Sequence, residues 1–172
     1  MPKISRLVTV ADSGVIPVIE IKESILWSGW LRIRVSTSTR QRVFQFHNLI
    51  TDPALNLMRD ALRGLVADLE IKYVALGTSN TAPAAGDVVL GNEVFRKAVT
   101  KDEAPGTGQA KTVCYVAPYE ALQQIEEIGF FAGAAATAAT NSGILVARVL
   151  FSRLKNELES WQIERTDSFA RA

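Results

Sequence analysis

A single histidine, His47, limits the acid–base and metal chemistry open to this chain of 172 residues. Any serine–histidine pair would have to use it, and a site built from several histidines is excluded. It lies between Phe46 and Asn48 at the end of a strand-like run, where a structural role is the better reading. Glu126 and Glu127 are adjacent carboxylates. On a strand, neighbours point to opposite faces, so the two cannot serve one substrate as acid and base. The segment Gly106-Thr107-Gly108-Gln109-Ala110-Lys111-Thr112 faintly suggests a phosphate loop. That loop needs Gly directly before Lys and a strand-to-helix setting; here Ala110 precedes Lys111 and a strand follows. Cys114, the one cysteine, sits inside Thr112-Val113-Cys114-Tyr115-Val116. It cannot form an internal disulfide, has no metal-ligand spacing, and reads as a small buried hydrophobe of a chain made in a reducing cytoplasm. No cofactor, metal site or catalytic constellation is expected, so the chain reads as a non-enzyme.

What remains are residues suited to contacts. Trp27 and Trp30 flank Ser28-Gly29, and Trp161 lies in the last strand-like run. Large amphipathic rings anchor both cores and interfaces; Trp161 is assigned to the core, Trp27 to either. Arg32 and Arg34, followed by Arg40 and Arg42, make the only local basic run. It fits a solvated strand face or a contact to an acidic partner surface. Glu93 and Arg96 are three apart and could pair, weakly if exposed; buried under the following loop, they would fix its register. Trp27, Trp30, Arg32, Arg34, Glu93 and Arg96 are therefore the candidate interface residues. The stretch from Ala132 to Gly143 is low in complexity. It reads first as a long flexible hairpin loop, and second as an inter-subunit loop marked by Gly133, Asn141 and Gly143, since loops this long are uncommon unless functional or disordered.

Composition bounds the rest. Hydrophobic residues make up 48% and charged residues 22%, so the chain is an ordinary globular one. Nineteen basic against eighteen acidic residues leave a net charge of +1. A nucleic-acid binder usually shows a basic excess, because phosphate neutralisation supplies much of the affinity; no direct nucleic-acid contact is expected. No signal peptide is visible, and no uncharged apolar stretch reaches the ~18 residues that span a bilayer, so no membrane partner is expected.

These groups must be positioned by strands. Val15-Ile16-Pro17-Val18-Ile19-Glu20-Ile21-Lys22 reads as an edge strand or arm, because of its Pro. From Gly29 to Ser36, Trp30, Arg32 and Arg34 alternate with Leu31, Ile33 and Val35; a hairpin through Ser36 to Arg40 leads to a second strand, with Arg42, Phe44 and Phe46 on one face. Thr51-Asp52-Pro53 opens one helix over about residues 53–64, closed by Gly64, with Leu55, Met58 and Leu62 as its core stripe and Leu65 able to pack back on its last turn. Strands are expected over 71–76, 95–101, 111–117, 125–131, 144–151 and 158–165, with 78–86 a surface loop and 88–94 ambiguous. Short strands at ~10-residue spacing argue for an antiparallel sandwich or barrel. The expected class is mainly β, or α+β, with one main helix, an N-terminal arm or edge strand over residues 1–25, and a single β-rich domain over residues 26–172.

Three ordered segments carry a family resemblance. They are Asn48-Leu49-Ile50-Thr51 leading into the helix; Ile71 to Thr78, then Ala82-Pro83, Leu90, Glu93 and Arg96; and Glu127-Ile128-Gly129-Phe130-Phe131, then Gly143 to Arg148, Phe151, Lys155 and Trp161-Gln162-Ile163. In this order the chain, over roughly residues 43–166, resembles bacteriophage tail and baseplate proteins. Its last third is similar to the attachment domain of tail-collar fibre proteins, where a Glu-Ile-Gly-Leu-Phe-like strand pairs with a Gly-Leu-hydrophobic-Ala strand. The resemblance implies a virion structural protein, assembled in the host cytoplasm and located in the particle. It implies self-association, as a trimer or ring, and contact with other virion proteins. Two other readings stand beside a tail or baseplate part. One is a capsid decoration protein that uses its N-terminal arm. The other is a carbohydrate-binding module stacking sugars on Trp27, Trp30 and Tyr119.

Overall fold

The computed structural model describes residues 24–171. The run from Val15 to Lys22, and all but the last two residues of the expected arm over 1–25, lie outside the described residues. Among the described residues, ten strands form two antiparallel five-stranded sheets. Sheet I contains β1 (Ile25–Ser36), β2 (Gln41–His47), β6 (Lys101–Glu103), β7 (Gln109–Val116) and β10 (Ser160–Arg171), in the order β2–β1–β10–β7–β6. Sheet II contains β3 (Leu49–Ile50), β4 (Ile71–Gly77), β5 (Glu93–Ala98), β8 (Gln124–Ala132) and β9 (Ile144–Leu154), in the order β3–β9–β8–β4–β5. The one helix is α1 (Asp52–Leu62). The molecule is mainly β and sandwich-like, as its strand spacing predicts.

The two sheets are joined at both edges. β2 and β3 are a single run bent at Asn48, whose N–H donates back to the Gly29 carbonyl at 3.3 Å. β5 and β6 nearly continue one another: the Val99 N–H donates to Lys72 of sheet II and the Thr100 N–H to Val113 of sheet I, each at 2.8 Å. The β1–β2 hairpin lacks Asn-Gly because Thr37 does the work. Its Oγ1 accepts from the Arg40 N–H at 3.0 Å while its own N–H donates to the Arg40 carbonyl at 2.8 Å.

Period-2 alternation fills the space between the sheets. Leu31, Ile33, Val35, Cys114, Val116, Trp161 and Ile163 of sheet I meet Val74, Leu76, Ile125, Ile128, Phe130, Ala147, Val149 and Phe151 of sheet II, all buried. Trp161 is fully buried and meets Phe151 edge-on at 5.3 Å, in the geometry aromatic quadrupoles favour. Burial pushes the Cys114 thiol up to about 12, so it is neutral and unreactive at ordinary pH.

Sheet II is covered on its second face as well. Ala75, Phe131 and Leu145 lie under Leu90 and Ala136, which come from the segments 78–92 and 133–143. Beside them, α1 lays Ala54 and Leu57 over Ala132 and Val146. Thr51 caps α1, its Oγ1 accepting from the Ala54 N–H at 3.3 Å. Gly64 ends the chain's helical path at φ +71°, and the Leu65 N–H returns to the Asp60 carbonyl at 2.9 Å.

Here the expected Leu55–Met58–Leu62 stripe is corrected. Leu55 is 52% exposed and Leu62 84% exposed; Leu65 is exposed too. The buried stripe is Ala54–Leu57, about a quarter-turn round the same helix at 3.6 residues per turn. Alanine gives no apolar-moment signal, so the bulkier leucines drew the reading to the wrong side.

Candidate interaction surface

Among the described residues nothing packs over the outer face of sheet I, and that face carries three of the candidate interface residues. Pairing places His47, Trp30, Thr166 and Lys111 in one row across the sheet. Gln45, Arg32, Glu164 and Val113 form the next row, and Val43, Arg34, Gln162 and Tyr115 the third. Trp30 is 46% exposed, and its ring lies 3.5 Å from the His47 ring, centroid to centroid, tilted by 43°. Val43 and Tyr115 are exposed as well. Glu164 organises the charges: Arg34 approaches it at 3.6 Å and Lys111 at 3.2 Å, and Lys111 also reaches Glu103 at 3.5 Å. Among the described residues Arg32 has no ion-pair partner, and Arg40 and Arg42 at the β2 edge are exposed. The result is an aromatic centre with a mixed, slightly basic surround, the composition in which Trp, Tyr and Arg act as interface anchors.

Trp27 is three residues away but on the opposite face. Its Nε1 donates to Asp167 Oδ1 at 2.7 Å, and its ring stacks on Phe169 at 5.3 Å. Asp167 is itself held by Arg165 through bonds of 2.8 and 2.5 Å. Tyr119 lies beyond the end of β7, whose residue Tyr115 is already four residues along the sheet from the Trp30 row. At ~3.3 Å per residue, Trp30 and Tyr119 are far apart, and Trp27 faces away from Trp30. The three rings make no shared stacking platform.

Glu93 and Arg96 lie in sheet II, side chains nearly fully buried. They form a two-pronged pair at 2.6 and 2.8 Å, with the guanidinium 4.1 Å above the Phe131 ring. Arg96 Nη1 donates to the Ser142 carbonyl at 2.8 Å, and Glu93 Oε2 accepts the Asn141 N–H at 3.0 Å. This pair therefore fixes the 133–143 segment from beneath. That segment is no free hairpin: Gly133 at φ +87°, Asn141 at φ +58° and Gly143 at φ +85° turn it back onto its own sheet. The Gly133 N–H donates to the Glu70 carbonyl at 3.1 Å. All three marked positions serve an intramolecular cap.

A second buried pair, not among the candidates, pins segment 78–92. Glu127, fully buried, accepts from Arg148 Nε at 2.7 Å and from the N–H groups of Ser79, Gly91 and Asn92 at 3.3, 3.1 and 2.9 Å. Arg148 also donates to Asp87 at 2.7 Å and to the Thr81 carbonyl at 2.9 Å. Burial tends to raise the Asp87 carboxyl, but the Ala84 N–H and Arg148 outweigh it and hold it below its ordinary value. Gly77 is required beside this pair, since a Cβ there would lie 2.4 Å from Glu127 Oε1 and 2.7 Å from the Asn92 carbonyl oxygen. The available sequence signal is a pair of charges, Glu127 and Arg148, each set inside a nearly continuous apolar strand. Glu126, by contrast, bonds only its neighbour Gln124, at 2.8 Å.

Comparisons with family models, curated proteins and solved structures find no match to this chain. Among the described residues no group of three or more His, Cys, Asp or Glu could hold a metal ion, and no helix is long and apolar enough to cross a membrane.

Proposed function

We propose that this chain is a bacteriophage virion structural protein, a tail, baseplate or fibre-attachment component that acts through protein–protein contacts. The observation that carries the contact role is the outer face of sheet I, uncovered among the described residues, with Trp30 and Tyr115 exposed among paired charges, beside a sheet covered on both faces. Four strand spacings of ~4.8 Å and twelve residues at ~3.3 Å make that face at most roughly 19 by 40 Å. That is comparable with the ~800 Å² per partner that stable interfaces bury. The phage setting rests on the ordered sequence resemblance. The pairing of Glu127–Phe131 of β8 with Leu145–Leu150 of β9 is consistent with it. The separation of Trp27, Trp30 and Tyr119 argues against the sugar-binding alternative.

The test is sedimentation of the purified protein, followed by mixing with isolated phage tails and isolated capsids. Self-association and tail binding, both weakened by Trp30→Ala, are expected. Binding to capsids alone would move the assignment to the decoration role. A monomer that binds neither particle part would end the proposal.

A further inference from the structure

A cavity of about 350 Å³ opens at the end of the sandwich where β1 begins. Its walls are mostly apolar: Trp27, Leu57, Met58, Leu69, Ile71 and Phe169. Its buried carboxylate, Asp167, is already satisfied by Trp27 and Arg165. At the mouth stand two exposed carboxylates, Glu70 and Asp102. Leu69 is 40% exposed there, and Ile25, at the start of the β1 face that carries Trp27, is 77% exposed. A volume of this size and lining is that of a binding cleft rather than a packing fault, which would be far smaller.

We infer that this cleft receives residues 15–22 of a neighbouring copy of the chain. Three features of the chain point to this occupant. The described chain begins at Ser24, three residues before Trp27 of the cleft wall, and 23 residues precede it. Those residues include Val15, Ile16, Val18, Ile19 and Ile21, apolar side chains that match the cleft walls, while Glu20 and Lys22 in the same run balance in charge. The donor is a neighbour because β1 is paired with β10 from its first residue, Ile25 opposite Arg171, which leaves only Glu23 and Ser24 between that fixed strand and the inserted run. Those two residues reach about 7 Å, so the receiving cleft lies directly against the end of the donor's β1. Repeated head to tail, this contact closes a ring, where a reciprocal exchange would close a dimer. The inference rests on the assembly role proposed above and supplies the device by which copies join.

The test is disulfide trapping in the full-length chain with Cys114→Ala. Val18→Cys or Ile19→Cys is combined with Leu69→Cys at the cleft mouth, a substitution that leaves the core intact; Met58→Cys is the second cleft position. Ser152→Cys, exposed on β9, replaces the cleft cysteine as control. A ladder of disulfide-linked multimers with the cleft cysteines, absent with Ser152→Cys and in a Leu69→Lys variant probed through Met58→Cys, is expected. Links confined within single chains would overturn the neighbour as donor. Oligomers by light scattering without any cleft link would overturn arm insertion while leaving the assembly role standing. A monomer at every concentration would overturn both.

Discussion

Glu127 and Arg148 decide more of this molecule than any catalytic group would. Each is buried, and each binds several groups of one loop, so removing either partner strands the other away from water. Replacing one member of a buried pair typically costs ~3–5 kcal/mol. Glu127→Gln, and separately Arg148→Met, should lower stability by that order in urea unfolding; a loss within ~0.5 kcal/mol would mean the pair holds nothing. A second expectation concerns acid. Arg153 holds Glu159 below its ordinary 4.5. For Glu120, burial pulls upward but is outweighed by Lys97 and the Ala117 N–H; Asp87 is lowered from its ordinary 3.8 in the same manner. A carboxylate depressed in the folded state adds stability that is complete above its unfolded value and is lost as pH falls through the folded one. Urea midpoints should therefore hold from neutrality to about pH 5 and then fall steadily below about pH 4. A midpoint that rises on acidification would contradict the assigned partners. None of these pairs was legible as a pair in the sequence, because Glu127 and Arg148 lie 21 residues apart on neighbouring strands. Glu93 and Arg96 were, because three residues is a spacing that can be read along the chain.

Strands and turns were the legible part of the elements. Alternation through Trp30–Val35 placed Leu31, Ile33 and Val35 inside and Trp30, Arg32 and Arg34 outside, because a half-covered sheet leaves its period in the sequence. β8 and β9 show instead nearly continuous apolar runs, since sheet II is covered on both faces. The stretches 78–92 and 133–143 were opaque. Their Ser, Thr, Ala and Gly content says loop, while their fixed geometry comes from charges elsewhere in the chain. Arg96→Ala tests this directly. It should release the 133–143 segment, raising amide exchange at Asn141 and opening the segment to limited proteolysis at unchanged β content by circular dichroism. Unaltered protection would show that Leu145 and Ala136 packing suffices without the guanidinium.

At the scale of the whole molecule, the unequal treatment of the two sheets sets the functional reading. Sheet II lies beneath a helix and two pinned loops; among the described residues, sheet I keeps an aromatic and charged face uncovered. Net charge near zero allows many copies to lie close without long-range repulsion. A central Trp is the residue type whose truncation most often costs ~2 kcal/mol or more at an interface, near 30-fold in affinity. The fold class was readable from strand spacing alone, whereas the bare face became visible only once pairing had shown what covers each sheet. Sedimentation equilibrium of the full chain beside its Trp30→Ala variant is the most direct check. Concentration-dependent self-association, weakened roughly 30-fold by Trp30→Ala at unchanged thermal stability, is the expected result. Identical monomer profiles for both proteins up to the solubility limit would contradict it.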